Sequence, residues 1–445
     1  MNDITAFFAF LKYCLGYKEN MSRVIAGMNW HELYSFASKQ ALLGLCFEGI
    51  ERLGKEYPEE LKRNPIGREL LMTWMGKAQQ IRRQNMKVNA VAGKLFSMLR
   101  EDGLRCCILK GQGNALMYPN PYSRTPGDID VWIDASRERI MEYAQKKFEL
   151  GDDIRLQHLE TSLDGVPVEL HFFPCSMNNP IYHARLQKWF RRNADLQCSN
   201  IVGLPDGAGD IAIPTTAFNV IYQLTHLYHH FFDEGIGMRQ IIDYFLVVND
   251  FSKNVFLDYD LSNHPVNFSN HPVPLSKEGS TAFPKPLSPQ GTGDVTALRC
   301  SEPLHSKVGG PSKVSPECLC GVNRLACDAP EGLKALQKEL KYLGLWKFAG
   351  AVMYVLHEAL GLSEENMIAP MDEKRGRLLL AEILNGGNFG QHFTKYGHFT
   401  QQGMAKKYFL KIWRNMHFVR YYPAEALSEP IFRTWHFLWR MWNKK

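Results

Sequence analysis

The sequence has no run of about 18 uncharged apolar residues, the minimum for a helix that crosses a membrane. Its nearest approach, residues 345–360, is broken by Lys347, His357 and Glu358, so no transmembrane segment is expected. A basic leader is also missing, and Asp3 stands where a secretory signal would carry lysine or arginine. Ten cysteines are scattered without framework spacing, which excludes a disulfide miniprotein and suits a reducing, cytoplasmic setting. Neither the phosphate-loop spacing G-x-x-x-x-G-K-[ST] nor the zinc-protease pattern H-E-x-x-H occurs. No internal repeat is present. What remains is ordinary globular material: 445 residues, 45% hydrophobic and 22% charged. That is enough chain for a sizeable core and roughly three domains.

The texture along the chain divides it into five parts. Residues 1–100 read as helical, with apolar positions at helical spacing in Phe7, Phe8, Leu11 and Cys14, and a proline-free stretch from Gly67 to Arg100. Residues 101–200 turn mixed. The apolar run Leu104–Leu109 reads as a buried strand, 128–133 and 166–173 alternate polar and apolar at the period of a strand, and 137–150 reads as a helix between them. The helical pattern returns over 201–262. Ten of the 23 prolines fall in 263–330 among Ser, Asn and Gly, which marks a disordered insertion. Residues 331–445 are helical again and end in a basic, aromatic tail. The fold expected is α+β: a short mixed sheet in an α/β core, embedded in a largely helical protein.

The chemistry lies in the mixed region. On a strand, Asp128 and Asp130 project from one face about 7 Å apart, while Ile129, Val131 and Ile133 enter the core. Two carboxylates so close repel unless a cation sits between them, and oxygen ligands suit Mg²⁺. A D-x-D pair alone is equally compatible with a solvated strand edge. Glu169, in the second alternating segment, supplies the third carboxylate that a site for two Mg²⁺ ions needs; the bland alternative is that it faces solvent. Lys110-Gly111-Gln112-Gly113 follows one strand and precedes a short helix, where backbone N–H groups approach a phosphate and Lys110 adds a point charge. A glycine turn alone is more often only a turn, and the weight of Gly111 comes from its place ahead of Asp128.

In that order, strand, glycine turn, helix, D-x-D strand and later acidic strand, the chain resembles the nucleotidyltransferase fold of the DNA polymerase beta superfamily. It is most similar to the group called uncharacterised nucleotidyltransferases, through Leu109-Lys110-Gly111, Tyr118-Pro119, Tyr122, Arg124, Gly127-Asp128-Ile129-Asp130 and Glu169-Leu170-His171. His158, His226-Leu227-Tyr228-His229 and 239–243 extend the likeness over about 30–250 and 332–440. The resemblance implies that Asp128, Asp130 and Glu169 hold two Mg²⁺, with Glu169 orienting or deprotonating a hydroxyl. It implies that Lys110, Gly111, Gln112 and Arg124 hold the triphosphate of an NTP. The reaction implied moves a nucleoside monophosphate to the hydroxyl of an unknown acceptor, a small molecule or protein rather than nucleic acid. Where the superfamily usually has Gly-Ser or Gly-Gly, this chain has Gly111-Gln112, followed by an unusually long interval before Asp128. That departure motivates the alternative of a nucleotide-binding protein without turnover.

Three further features complete the reading. His226, His229 and His230 share helical spacing and read as packing or pocket-capping residues rather than metal ligands. Cys318, Cys320 and Cys327 lack a fourth zinc ligand nearby. The tail, 404–445, carries nine of the basic residues against Glu425 and Glu429 and so exceeds the whole chain's net charge of +6. Its tryptophans, at helical spacing, are expected to pack on the core. The alternative is an adaptor that binds nucleic acid or an anionic membrane surface.

Overall fold

A computed structural model describes residues 3–150, 155–254, 329–391 and 404–443. Of the insertion expected at 263–330, residues 263–328, with Cys318, Cys320 and Cys327, lie outside the described residues, and Ala329 and Pro330 begin a helix. The chain is largely helical around a four-stranded mixed sheet, as the sequence implied. Its strands are β1 (Cys106–Ile108), β2 (Ile129–Ile133), β3 (His158–Leu163) and β4 (Val166–His171), in spatial order β1-β2-β4-β3. β2 runs parallel to β4, and the outer pairings are antiparallel. A separate hairpin pairs β5 (Ile201–Gly203) with β6 (Asp210–Ala212).

Side-chain alternation decides which face of the sheet is which. Ile129, Val131 and Ile133 of β2 and Val168 and Leu170 of β4 enter one apolar core. The helix Arg68–Glu101 covers that core with Val88, Val91, Ala92, Leu95, Phe96 and Leu99, an i, i+3, i+4, i+7 stripe. At 34 residues it is one unbroken helix about 50 Å long, so Gly76 and Gly93 do not interrupt it. Gly93 has a packing reason: a Cβ there would collide with the carbonyl of Ala208. On the opposite face, Trp132 stacks on Phe218 with ring centres 6.0 Å apart.

The register then sets the site. Asp130 faces Glu169, and Glu169 faces Glu160; one step along, Trp132 faces His171, and His171 faces His158. All six therefore share the face opposite the apolar core. β3 was not foreseen as a strand, although its signal was present. Leu163-Asp164-Gly165-Val166 closes the β3–β4 hairpin with positive φ at Asp164 (50°) and Gly165 (72°), the Asp-Gly turn that matches strand twist.

Candidate active site

Each element that carries a polar residue of this face is held in place. The amide of Leu109 donates to the carbonyl of Asp130 at 2.9 Å, which fixes Lys110 beside that carboxylate. Gly111 follows with φ 62°, a conformation that favours glycine. The loop leading to Asp128 is anchored from two sides. Buried Asn85 donates to the carbonyls of Tyr122 (3.1 Å) and Arg124 (2.8 Å). The Arg124 guanidinium donates from Nε to Asp243 Oδ1 at 2.8 Å and from Nη2 to Oδ2 at 2.7 Å.

Oxygen atoms of Asp128, Asp130 and Glu169 all lie within 4.8 Å of one another. Among the described residues, Asp130 Oδ2 is buried without a hydrogen-bond partner. An orphaned carboxylate oxygen inside a compact three-oxygen set fits a divalent cation such as Mg²⁺. The other oxygen of Asp130 is already engaged: Lys110 Nζ and His171 Nε2 each stand 3.1 Å from Oδ1. His171 Nε2 is also 3.1 Å from Glu169 Oε2, and His158 Nδ1 is 3.3 Å from that same oxygen. Burial favours the neutral acid at Glu169, but the hydrogen bond and charge of His171 outweigh it and hold the carboxyl down to about 2. Burial likewise opposes charge on His171, and its bonds to Asp130 and Glu169 pull it up to about 9.

Gln157 sets the orientation of that ring. Its Nε2 donates to the Pro174 carbonyl at 3.1 Å, and its Oε1 accepts from Ser176 Oγ at 3.3 Å, so its amide polarity is fixed. The same Nε2 lies 3.3 Å from His171 Nδ1. That amide is a donor, so the contact opposes a proton on Nδ1 while the two carboxylates favour one; in either state Nε2 points its proton toward Asp130 and Glu169.

The three carboxylates open into a cavity of about 690 Å³ lined by residues from both sequence halves, including Lys110, Gly111, Asp128, Asp130, Glu169 and Arg239. His226, His229 and His230 line it too. Burial, then the Lys110 ammonium, pushes His226 well below its ordinary value, and His226 Nε2 lies 3.2 Å from Lys110 Nζ. Among the described residues these histidines belong to no group that could hold a metal.

The phosphate-binding residues expected from the sequence fare differently. Lys110 and Gly111 face the cavity. Gln112 turns away, and its amide donates to Asn89 on the long helix. Arg124 borders the cavity, but its fork is held by Asp243. The cation that sequence reasoning did not single out is Arg239. It is 8% exposed and lines the cavity; its Nη1 donates to the Thr125 carbonyl at 3.0 Å, and its Nε has no partner among the described residues. Burial, then the nearby Arg124 charge, lowers its pKa. The adjacent Gln240 accepts from the Gly237 amide through Oε1 at 2.7 Å, and among the described residues its Nε2 donor has no partner. The one hint in the sequence was that 239–243 resembles the family's helical part.

Asn388, Phe389 and Gln391 complete the wall. They meet the rest closely: a Cβ on Gly237 would stand 2.7 Å from Asn388 Cα. Gly237→Ala is thus expected to push this loop outward and cost about 1–3 kcal/mol of stability, measured as a lower denaturation midpoint.

A mixed sheet with two acids leading one strand and a third on its parallel neighbour, beside a glycine turn, is the arrangement of a nucleotidyltransferase. A family model described as uncharacterised nucleotidyltransferase matches residues 26–263, more than half of the chain, and the protein belongs to that family. No curated protein and no solved structure matches the chain. The cavity wall at 388–391 and the tail lie beyond the matched span.

Proposed function

We propose that the protein is a Mg²⁺-dependent enzyme that transfers a nucleoside monophosphate from an NTP to a hydroxyl of an acceptor. The observation that carries this reading is the Asp130–Glu169 register, which brings both carboxylates together with Asp128 in a cavity that also presents Lys110 and Arg239. Asp128, Asp130 and Glu169 would hold two Mg²⁺ ions, which when bound favour ionisation of the acceptor hydroxyl and neutralise charge on the leaving group. Lys110, the Gly111 backbone and Arg239 bind the triphosphate. Arg124 supports the site through Asp243. Glu169 orients the hydroxyl, since a carboxyl held near 2 is a weak base. The acceptor oxygen forms a bond to the α-phosphorus, the bond from that phosphorus to the bridging oxygen breaks, and pyrophosphate leaves with the electron pair. The hydroxyl proton passes to solvent. His171, oriented by Gln157, keeps Asp130 and Glu169 aligned.

The orientation of Gln112 favours a second reading, nucleotide binding without turnover, because the turn offers the phosphates no side-chain hydroxyl. Incubation of the protein and cell extract with NTPs labelled at the α- or the γ-phosphate separates the readings. Transfer to an acceptor of α-label alone, lost in Asp128→Asn/Asp130→Asn, supports the first. Tight binding with no transfer supports the second, and transfer of γ-label contradicts both. Arg239→Ala is expected to weaken NTP binding tenfold or more, about 1.4 kcal/mol or above, with a smaller effect on turnover at saturation. Equal NTP titrations for wild type and variant would remove Arg239 from the phosphate site.

A further inference from the structure

The two C-terminal helices, Met404–Met416 and Pro423–Asn443, carry large exposed apolar side chains. On the second helix Leu427, Ile431, Trp435, Leu438 and Trp442 are all exposed, Ile431 at 72% and Trp442 at 89%. Their spacing, i, i+4, i+8, i+11 and i+15, makes one stripe about 22 Å long. Phe409, Trp413 and Met416 are exposed on the first helix at the same periodicity. Isolated exposed apolar residues are ordinary; eight large ones on two successive helices mark a binding surface. The expectation that the tryptophans pack on the core is thereby corrected: Trp413, Trp435 and Trp442 face outward.

Charge identifies the occupant. The only acids in 404–445 are Glu425 and Glu429, each 2% exposed. Glu425 accepts the backbone amides of Asn178 (2.9 Å) and Asn179 (3.3 Å), and Glu429 accepts from Arg433. The described surface of the segment consequently shows no carboxylate. Arg420 is exposed, and the sequence adds Lys406, Lys407, Arg440, Lys444 and Lys445 to the same segment. Among the described residues no helix is long and apolar enough to cross a membrane. Exposed tryptophan and aliphatic residues in a segment whose sequence holds nine cations and only two, buried, acids suit the boundary between lipid headgroups and acyl chains. A second copy would bring like charge against like, and a nucleic acid would leave Leu427, Ile431 and Leu438 without apolar partners.

We propose that these two helices lie in the surface of an anionic membrane. The attachment reaches the site: Lys411 Nζ and Arg433 Nη2 each stand 2.8 Å from Asp233 Oδ1, and Asp233 lines the cavity. Trp439 also meets Arg137 of the α/β core, 5.3 Å from ring centre to guanidinium.

The test is flotation of the full chain with vesicles of phosphatidylcholine containing about one third phosphatidylserine, against phosphatidylcholine alone. Wild type should float with the anionic vesicles and bind neutral ones at least about tenfold more weakly. Ile431→Asp/Trp435→Asp, both at exposed positions, should lose at least about tenfold in binding while melting like wild type. Arg420→Glu, which spares the stripe, should lose about fivefold and only on anionic vesicles. Wild-type protein that ignores vesicles, or Asp variants that bind them as wild type does, would overturn the proposal. So would a wild-type dimer that the Asp variants dissociate, or binding to oligonucleotides in preference to vesicles. None of these readouts depends on nucleotidyl transfer, so the outcome is independent of the catalytic reading.

Discussion

Replacing Asp128 and Asp130 together by asparagine is expected to lower pyrophosphate release from NTP by at least about a thousandfold, with little loss of stability. The size follows from position. Asp130 is buried, has one oxygen between Lys110 and His171, and has the other without a hydrogen-bond partner among the described residues. Asparagine keeps the shape but removes the charge, so the remaining carboxylate, Glu169, cannot hold the cations alone. The fold tolerates the change because the apolar core of the sheet is made by the alternate residues Ile129, Val131 and Ile133. If the double variant released pyrophosphate at the wild-type rate, the reacting centre would lie elsewhere in the protein.

Asp243→Ala is expected to have the largest effect on stability, about 3–5 kcal/mol. Asp243 accepts from Arg124 through both oxygens and from the Tyr118 hydroxyl at 2.8 Å. Burial acts against its charge, yet the Arg124 guanidinium keeps its pKa below the ordinary carboxylate value. Truncation would leave a guanidinium only 4% exposed without its counter-charge and would release the loop that carries Asp128. By contrast, removing Glu59 from its exposed pair with Lys62 should change stability by no more than about 1 kcal/mol. Denaturant melts of the two variants measure the difference. An Asp243→Ala protein as stable as wild type would mean that Arg124 does not depend on this pair, and its role as a phosphate ligand would return.

The pair also shows where sequence reading reaches its limit. Asp128, Asp130, Glu169 and the Lys110-Gly111 turn were legible because strand alternation and a glycine between two elements are local signals. Their convergence was not, since the β2–β4 register is a long-range pairing. Arg124 and Arg239 look alike in sequence, and what distinguishes them is Asp243, 119 positions from Arg124. β3 was missed because only two of the six residues in His-Leu-Glu-Thr-Ser-Leu are apolar, although the Asp164-Gly165 turn announced the hairpin. In the tail, the helical spacing of the tryptophans was legible but not whether anything covers them, which depends on the packing of distant helices.

The central claim, that a nucleotide and divalent cations meet at Asp128, Asp130 and Glu169, is tested most directly by calorimetric titration of each NTP into wild type and Asp128→Asn/Asp130→Asn, with and without Mg²⁺. The account predicts NTP binding that requires Mg²⁺ in wild type and disappears in the variant. NTP binding that is indifferent to Mg²⁺ and equal in both proteins would contradict it.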